Sequence, residues 1–363
     1  MNTSLETGSK ITAPASEGGA WWILSVGLLA VRFVQGWIYW GGGSRRFIYG
    51  PQKLNPHGHW MAYKFQTAMP GAILGTQHII SFLLHHFVLL YAGVIVFSAV
   101  ELISGLMLIS GFLTRLAAVL TLGLSLTLML MFGWQGATCI DEWTMAASNF
   151  AMGVTLFLLG GGAYSVDNWI ARKHPTLATK GWFQWLGGSA PLPLSDSAFK
   201  KLALTLFWIA VVFIVGTYSY YRGSVVTPFH GDPTGLKAHH IALTDGKLVG
   251  NKLVSVRMYV DAGTPTVPAH IISIHLLNKD GEVVASWSGK QLSRLEPKYI
   301  HNVYAYQKVA PDTILGLKAG LAAKAELQLP LAAPLKNPAS GAPYKIVLQG
   351  INGVESTGVI VAQ

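Results

Sequence analysis

The run WWILSVGLLAVRFVQGWIYW, Trp21 to Trp40, carries a single charged side chain, Arg32, and begins and ends in tryptophan. As a helix rising 1.5 Å per residue it covers ~30 Å, the thickness of a bilayer's hydrocarbon core. Aromatic residues at both ends suit the headgroup layers, where an amphipathic ring has one wet and one dry side. A signal peptide would show a shorter apolar core and a small-residue cleavage site, and the GGGSRRF that follows gives no such pattern. The run reads as a retained membrane helix.

The rest of the chain agrees with that reading. Its 363 residues are 51% hydrophobic and 12% charged, against roughly 25% charged in soluble proteins. Four more apolar runs follow: Phe87 to Ser110, Phe112 to Phe132, Met145 to Leu159 and Lys201 to Gly223. The expected organisation is a polar arm (1–20), a four-helix membrane bundle (21–170) with a long outer loop (41–86), a cytoplasmic linker and fifth span (171–223), and a strand-rich domain (224–363). The outer loop is too polar and interrupted to span, and reads as loop plus interfacial or re-entrant helix.

Short-loop cations set orientation. Lys10, Arg115, Arg172, Lys173, Lys180, Lys200 and Lys201 fall on the side of the N-terminus; Arg45, Arg46, Lys53 and Lys64 lie together in the outer loop. The bias places the N-terminus in the cytoplasm of a cell whose inner membrane holds the bundle. Five spans then leave the C-terminal domain outside, in the periplasm of a two-membrane cell.

After Arg222 the period changes. Segments such as KLVSVRMYVDAG and YKIVLQGINGVESTGVIVA alternate apolar and polar residues and are separated by turn pairs, Asp280-Gly281 and Asn352-Gly353. About 140 residues of this kind suit one all-β domain, sandwich-like, as a single antiparallel sandwich or barrel.

The chemistry-bearing residues fall into three groups. Arg32 and Glu101 lie inside spans, where an ionised side chain is costly and faces a partner or cavity; they are plausible partners, either as a structural pair or as a quinone or proton site. Arg45, Arg46, His57, His59 and Lys64 gather cations by the membrane surface, suited to a divalent oxyanion or to lipid headgroups. The histidine pairs 57/59 and 85/86 lack the spacing of a recognisable metal site. Cys139, the sole cysteine, sits in WQGATCIDEW, Trp134 to Trp143, between the third and fourth spans. As a thiolate it is a nucleophile toward sulfur. Asp141 and Glu142 oppose that by raising a thiol's pKa and repelling anions, unless the Arg45–Arg46 loop folds over the turn. One cysteine also rules out an intrachain disulfide, a CxxC redox pair, a CxxCH haem site and thiolate-held iron–sulfur clusters. No flavin motif is visible, and no basic stretch with interleaved aromatics indicates nucleic acid.

The arginine of the first span, ELISGLMLISGFLTRLAA (Glu101 to Ala118) and NFAMGVTLFLLGGGAYSVDNW (Asn149 to Trp169) resemble the DoxD and DoxX membrane family. More narrowly, they resemble thiosulfate:quinone oxidoreductases with DoxD and DoxA parts fused, the fifth span and strand-rich remainder being similar to DoxA. The resemblance implies oxidation of thiosulfate to tetrathionate with electrons delivered to the membrane quinone pool. On that basis Arg45, Arg46, His59 and Lys64 are expected to bind the anion. Arg32 and Trp134 are expected nearer the quinone, and Glu101 and Cys139 are the catalytic candidates. Two alternatives stay open: a non-catalytic subunit docking a terminal oxidase through the β-domain, and an anion transporter. A homo-oligomer is compatible with each.

Overall fold

The computed structural model describes residues 19–55, 60–135, 142–222, 239–335 and 343–362. The helical part comprises α1 (Gly19–Ser44), α2 (Met61–Ala68), α3 (Thr76–His85), α4 (Phe87–Ser110), α5 (Thr114–Phe132), α6 (Glu142–Leu159), α7 (Val166–Lys173), α8 (Pro175–Ala178), α9 (Gly181–Leu186) and α10 (Asp196–Arg222). Among the described residues four segments are long and apolar enough to cross a membrane: Trp21–Tyr49, Phe87–Ser110, Thr114–Phe132 and Asp196–Tyr221. The run expected as a further span forms most of α6, 18 residues long. Its first turn carries Glu142, and Ser148 and Asn149 follow, which makes α6 less apolar than the four.

The chain divides into two compact units. The first holds residues up to Leu54, Gly93–Met129 and Thr144–Thr217; the second holds Asn55–Ala92, Leu130–Trp143 and Tyr218–Gln363.

In the first unit α1 and α4 cross on glycine. A Cβ on Gly36 would lie 2.8 Å from Ile109 Cγ1, and one on Gly105 would lie 2.7 Å from Trp40 Cα. Small residues let two backbones approach where lipid supplies no hydrophobic drive, so dispersion and close packing hold the pair. Leu28, Leu108, Ala117, Ala118 and Leu156 form the apolar core beside this crossing. Outward-facing residues are large and apolar, among them Ile23, Phe33, Trp37, Val96, Trp208 and Val212. That inversion of the soluble pattern is what a lipid solvent permits.

The second unit is built on a ten-stranded sheet. Its strands are β1 (His240–Val249), β2 (Leu253–Ala262), β3 (Ala269–Leu277), β4 (Val283–Ser288), β5 (Ile300–Asn302), β6 (Val309–Pro311), β7 (Leu317–Ala319), β8 (Lys324–Pro330), β9 (Pro343–Gly350) and β10 (Glu355–Ala362). The order is β5-β8-β2-β1-β10-β9-β3-β7-β6, with β4 paired to β3. Neighbours are antiparallel except β1 and β10, which run parallel. The all-β expectation holds, and of the two forms left open the sheet takes the barrel-like one, nearly closed. Its end strands are joined by a side chain: Asn302 Nδ2 donates to Val309 O at 2.9 Å and Val309 N donates to Asn302 Oδ1 at 2.7 Å. Period-two alternation fills the interior, with Val254, Val256, Met258 and Val260 of β2 facing Ala325, Leu327 and Leu329 of β8 as buried sets.

Gly105→Leu forces side-chain atoms into the Trp40 backbone and is expected to cost ~3 kcal/mol or more, the upper range of overpacking. Thermal unfolding in detergent reads this as a lower midpoint, whereas Gly123→Leu, at a glycine with nothing within 4 Å of its Cβ position, leaves the midpoint near its starting value.

Candidate functional site

α1 does not stop at the glycines of GGGS. It runs through Ser44 and continues as π-helical turns over Arg45–Tyr49. This extension carries Arg46 back to the bundle interior, where its guanidinium donates to Glu101 Oε2 of α4. Both side chains are largely buried, 13% and 7% exposed. Gly42 lies against the carboxylate, with the position of a Cβ 3.1 Å from Glu101 Oε2. The Phe97 ring sits beneath the guanidinium, 5.9 Å from centroid to Cζ. Glu101 is therefore paired with Arg46, not with Arg32, the other charge inside a span and the partner expected for it, and Arg46 is not a free surface cation. Arg45, next to it, is exposed and forms no ion pair among the described residues.

Arg32 has another task. Its guanidinium donates to Gly161 O and to Tyr164 O, the latter at 2.6 Å, while its Nε is buried without a partner among the described residues. Arg115, expected among the loop cations, is 1% exposed. It donates to Phe157 O at 2.9 Å, Gln184 O at 2.7 Å, and the carbonyls of Gly187 and Ala190. Asp167 accepts from Leu113 N at 2.8 Å, Thr114 N at 3.0 Å and Thr114 Oγ1 at 2.9 Å. It thereby satisfies amides at the start of α5 that have no helical partner. Burial pushes the Asp167 carboxyl above its ordinary value, against the opposing pull of those donors and of Arg115. These three residues tie loop carbonyls and amides together.

In the second unit, α2 is fastened by Gln66, whose amide donates to Gln307 O at 3.0 Å and Ala322 O at 2.9 Å and accepts from Gln307 N at 2.9 Å. Two residues earlier on α2, Lys64 pairs with Glu142 at the start of α6 and lies over the Phe132 ring, 5.2 Å from its centroid. Trp134 is buried, its Nε1 donating to Ala68 O at 2.9 Å and its ring against Gly71. Both ends of the cysteine-bearing loop are thus anchored to α2 and its exit. Lys64 thus pairs with Glu142, one of the two acids that counted against a thiolate. Cys139, His57, His59 and Asp141 lie outside the described residues. His85 and His86 turn Nδ1 to Ser81 O and Phe82 O, each at 2.7 Å.

The sheet also carries a pocket of about 230 Å³ lined by His239, His270, Thr264, Asn352, Ser356 and apolar residues including Ile241 and Val354. His270 Nδ1 lies 2.9 Å from Asp312 Oδ2. The Ile314 amide, with His270 beside it, holds the Asp312 carboxyl below the usual range.

Sequence reasoning passed over the polar residues on the inner face of α1, Gln35 and Tyr39. The signal was their spacing from Arg32 and Arg46, at steps that keep one helical face.

Compared with known families, residues 28–195 match the one described as TQO small subunit DoxD. Residues 223–358 match TQO small subunit DoxA.

The Arg46–Glu101 pair predicts a stability cycle. Arg46→Met strands a buried carboxylate and is expected to cost ~3–5 kcal/mol, while adding Glu101→Gln removes the charge and restores most of the loss. Unfolding midpoints of the two variants in detergent check this; equal midpoints would mean that the carboxylate does not depend on Arg46.

Proposed function

Because this chain belongs to the two TQO small-subunit families, DoxD and DoxA, we propose that it is by itself a membrane-bound thiosulfate:quinone oxidoreductase, oxidising thiosulfate to tetrathionate and reducing quinone. The observation that carries this reading is the presence of both families in one polypeptide. The chain's excess of cations, 26 Lys and Arg against 16 Asp and Glu, suits a dianionic substrate.

The balance of the reaction assigns the parts. Two thiosulfate dianions join sulfur to sulfur, giving tetrathionate and two electrons, with no proton released. Quinone takes those two electrons and two protons from water. Like-charged substrates need cations where they meet, and Arg45, Lys64 and His59 are assigned to that task. Arg46, held by Glu101, belongs with the quinone and proton chemistry inside the bundle. Quinone, dissolved in lipid, approaches there. Arg32 holds the Gly161–Tyr164 turn at the same bundle, and Trp134 anchors the loop that bears Cys139.

Cys139 is assigned as the sulfur relay. Its thiolate and one thiosulfate lose two electrons and form a Cys–S–S–SO₃⁻ adduct; a second thiosulfate attacks that adduct, releasing tetrathionate and restoring the thiolate. The protein is placed in the inner membrane as a multi-pass chain, with its N-terminus cytoplasmic and its β-domain outside.

Purified protein, thiosulfate and a soluble quinone analogue, followed by quinone absorbance without oxygen, test the proposal. Arg45→Ala and Lys64→Ala are each expected to raise the Michaelis constant for thiosulfate about tenfold, the loss of one charge-assisted contact, and to leave that for quinone within about twofold. Cys139→Ser is expected to abolish turnover, since a hydroxyl forms no such adduct. Thiosulfate flux into vesicles without quinone reduction would replace the enzyme with a transporter.

A further inference from the structure

The interior of the bundle is more polar than helix packing requires. On α1, Arg32, Gln35, Tyr39, Gly43 and Arg46 recur at steps of three and four, one face of the helix. Gln35 and Tyr39 are buried, as are Ser98, Glu101 and Ser104 of α4, Thr121 and Ser125 of α5 and Asn149 of α6. Their hydrogen bonds run together. Tyr39 Oη donates to Thr121 O at 3.0 Å and lies 2.8 Å from Ser125 Oγ. Gln35 Nε2 donates to Asn149 O at 2.8 Å and to Thr121 Oγ1 at 3.3 Å. Gly42, three residues beyond Tyr39 on the same helix, lies against the Glu101 carboxylate.

Three of these side chains have an oxygen left over. Gln35 Oε1 and Asn149 Oδ1 are buried without a partner among the described residues, and Ser104 Oγ is in the same position. Gln35 is 0% exposed and Asn149 2%. The amide of Gln35 is not reversible to cure this, because its nitrogen already serves two acceptors. Leaving such a group unsatisfied is costly, and in hydrocarbon no bulk water relieves it. A small donor that is also an acceptor satisfies such an oxygen, and water is the smallest one available to a packed interior.

We propose that this strip, with water held at the free oxygens of Gln35 and Asn149, is the proton route that feeds Glu101. It spans ~16 Å of α1 from Gln35 to Arg46. The inference rests on the quinone-reductase reading above. Since thiosulfate oxidation releases no protons, both protons of the quinol come from water and must enter the bundle. Each moves along water and the hydroxyls of Tyr39 and Ser125 to the Glu101 carboxylate. From there it passes to a quinone oxygen as the electrons arrive. The carboxylate then re-forms its pair with Arg46. Tyr39 and Gln35 act through Glu101 and are positioning residues.

The test compares Tyr39→Phe, Gln35→Met and the conservative Gln35→Glu in detergent-solubilised full-length protein. Tyr39→Phe and Gln35→Met are expected to lower kcat about tenfold, enlarge the solvent deuterium isotope effect and leave the Michaelis constant for thiosulfate within about twofold, while Gln35→Glu keeps most of the rate. Folded variants with an unchanged isotope effect overturn the relay, whether or not their rate falls, since structural glue alone would lower the rate without moving that ratio. If unsubstituted protein reduces no quinone with thiosulfate, the functional reading fails instead. The strip is then read without turnover, by hydroxyl-radical footprinting: internal water labels buried Tyr39 in the unsubstituted protein, and Gln35→Met removes the label. An unlabelled Tyr39 in the unsubstituted protein overturns the proposal.

Discussion

A carboxylate inside a membrane bundle must be met by a cation, and the Arg46–Glu101 pair is where this chain meets that demand. Much of the bundle geometry depends on it. To bring Arg46 to Glu101, α1 has to continue through Gly41–Ser44 as a helix, although glycine disfavours helix interiors. The same glycines make the continuation possible, because Gly42 leaves room for the carboxylate and Gly43 admits the Leu102 backbone. Close approach of α1 and α4 therefore serves packing and the ion pair together. Replacing such a pair by apolar residues is often neutral or stabilising for a fold. The proton role proposed above would give the pair a reason beyond stability.

The second unit solves a different problem, that of a sheet with two ends. Asn302 supplies, from a side chain, the rung that a main-chain ladder would provide between β5 and β6. Gln66 repeats the device, its amide matching the Gln307 backbone as a strand neighbour would. In this way α2, and with it Lys64, gains a rigid mount in the same unit as the sheet. A cation assigned to a small dianion benefits from such a mount, since little conformational freedom remains to be lost on binding.

Much of this was legible in the chain itself. Apolar length marked the helices, and alternation with the turn pairs Asp280-Gly281 and Asn352-Gly353 marked the two hairpins β3–β4 and β9–β10, whose glycines take φ of +82° and +80°. Arg32 and Glu101 stood out as charges inside spans. Their partners did not, because GGGS reads locally as a loop, and only the crossing with α4 makes it helical. The parallel pairing of β1 with β10 joins strands more than 100 residues apart in sequence and leaves no local trace. Asn149 looked like an ordinary residue of a span, yet it is part of what keeps α6 less apolar than its neighbours. Arg115 resembled an orienting loop cation, and its five-donor guanidinium is instead spent on carbonyls.

The central claim is that Glu101 carries protons during quinone reduction, and infrared difference spectroscopy reads that carboxyl directly. Reduced-minus-oxidised spectra of the protein with bound quinone, started by thiosulfate, are predicted to contain a carboxylic-acid carbonyl band that shifts in D₂O and disappears in Glu101→Gln. Identical difference spectra for Glu101→Gln and the unsubstituted protein would contradict the account, leaving the Arg46–Glu101 pair as a structural clamp alone.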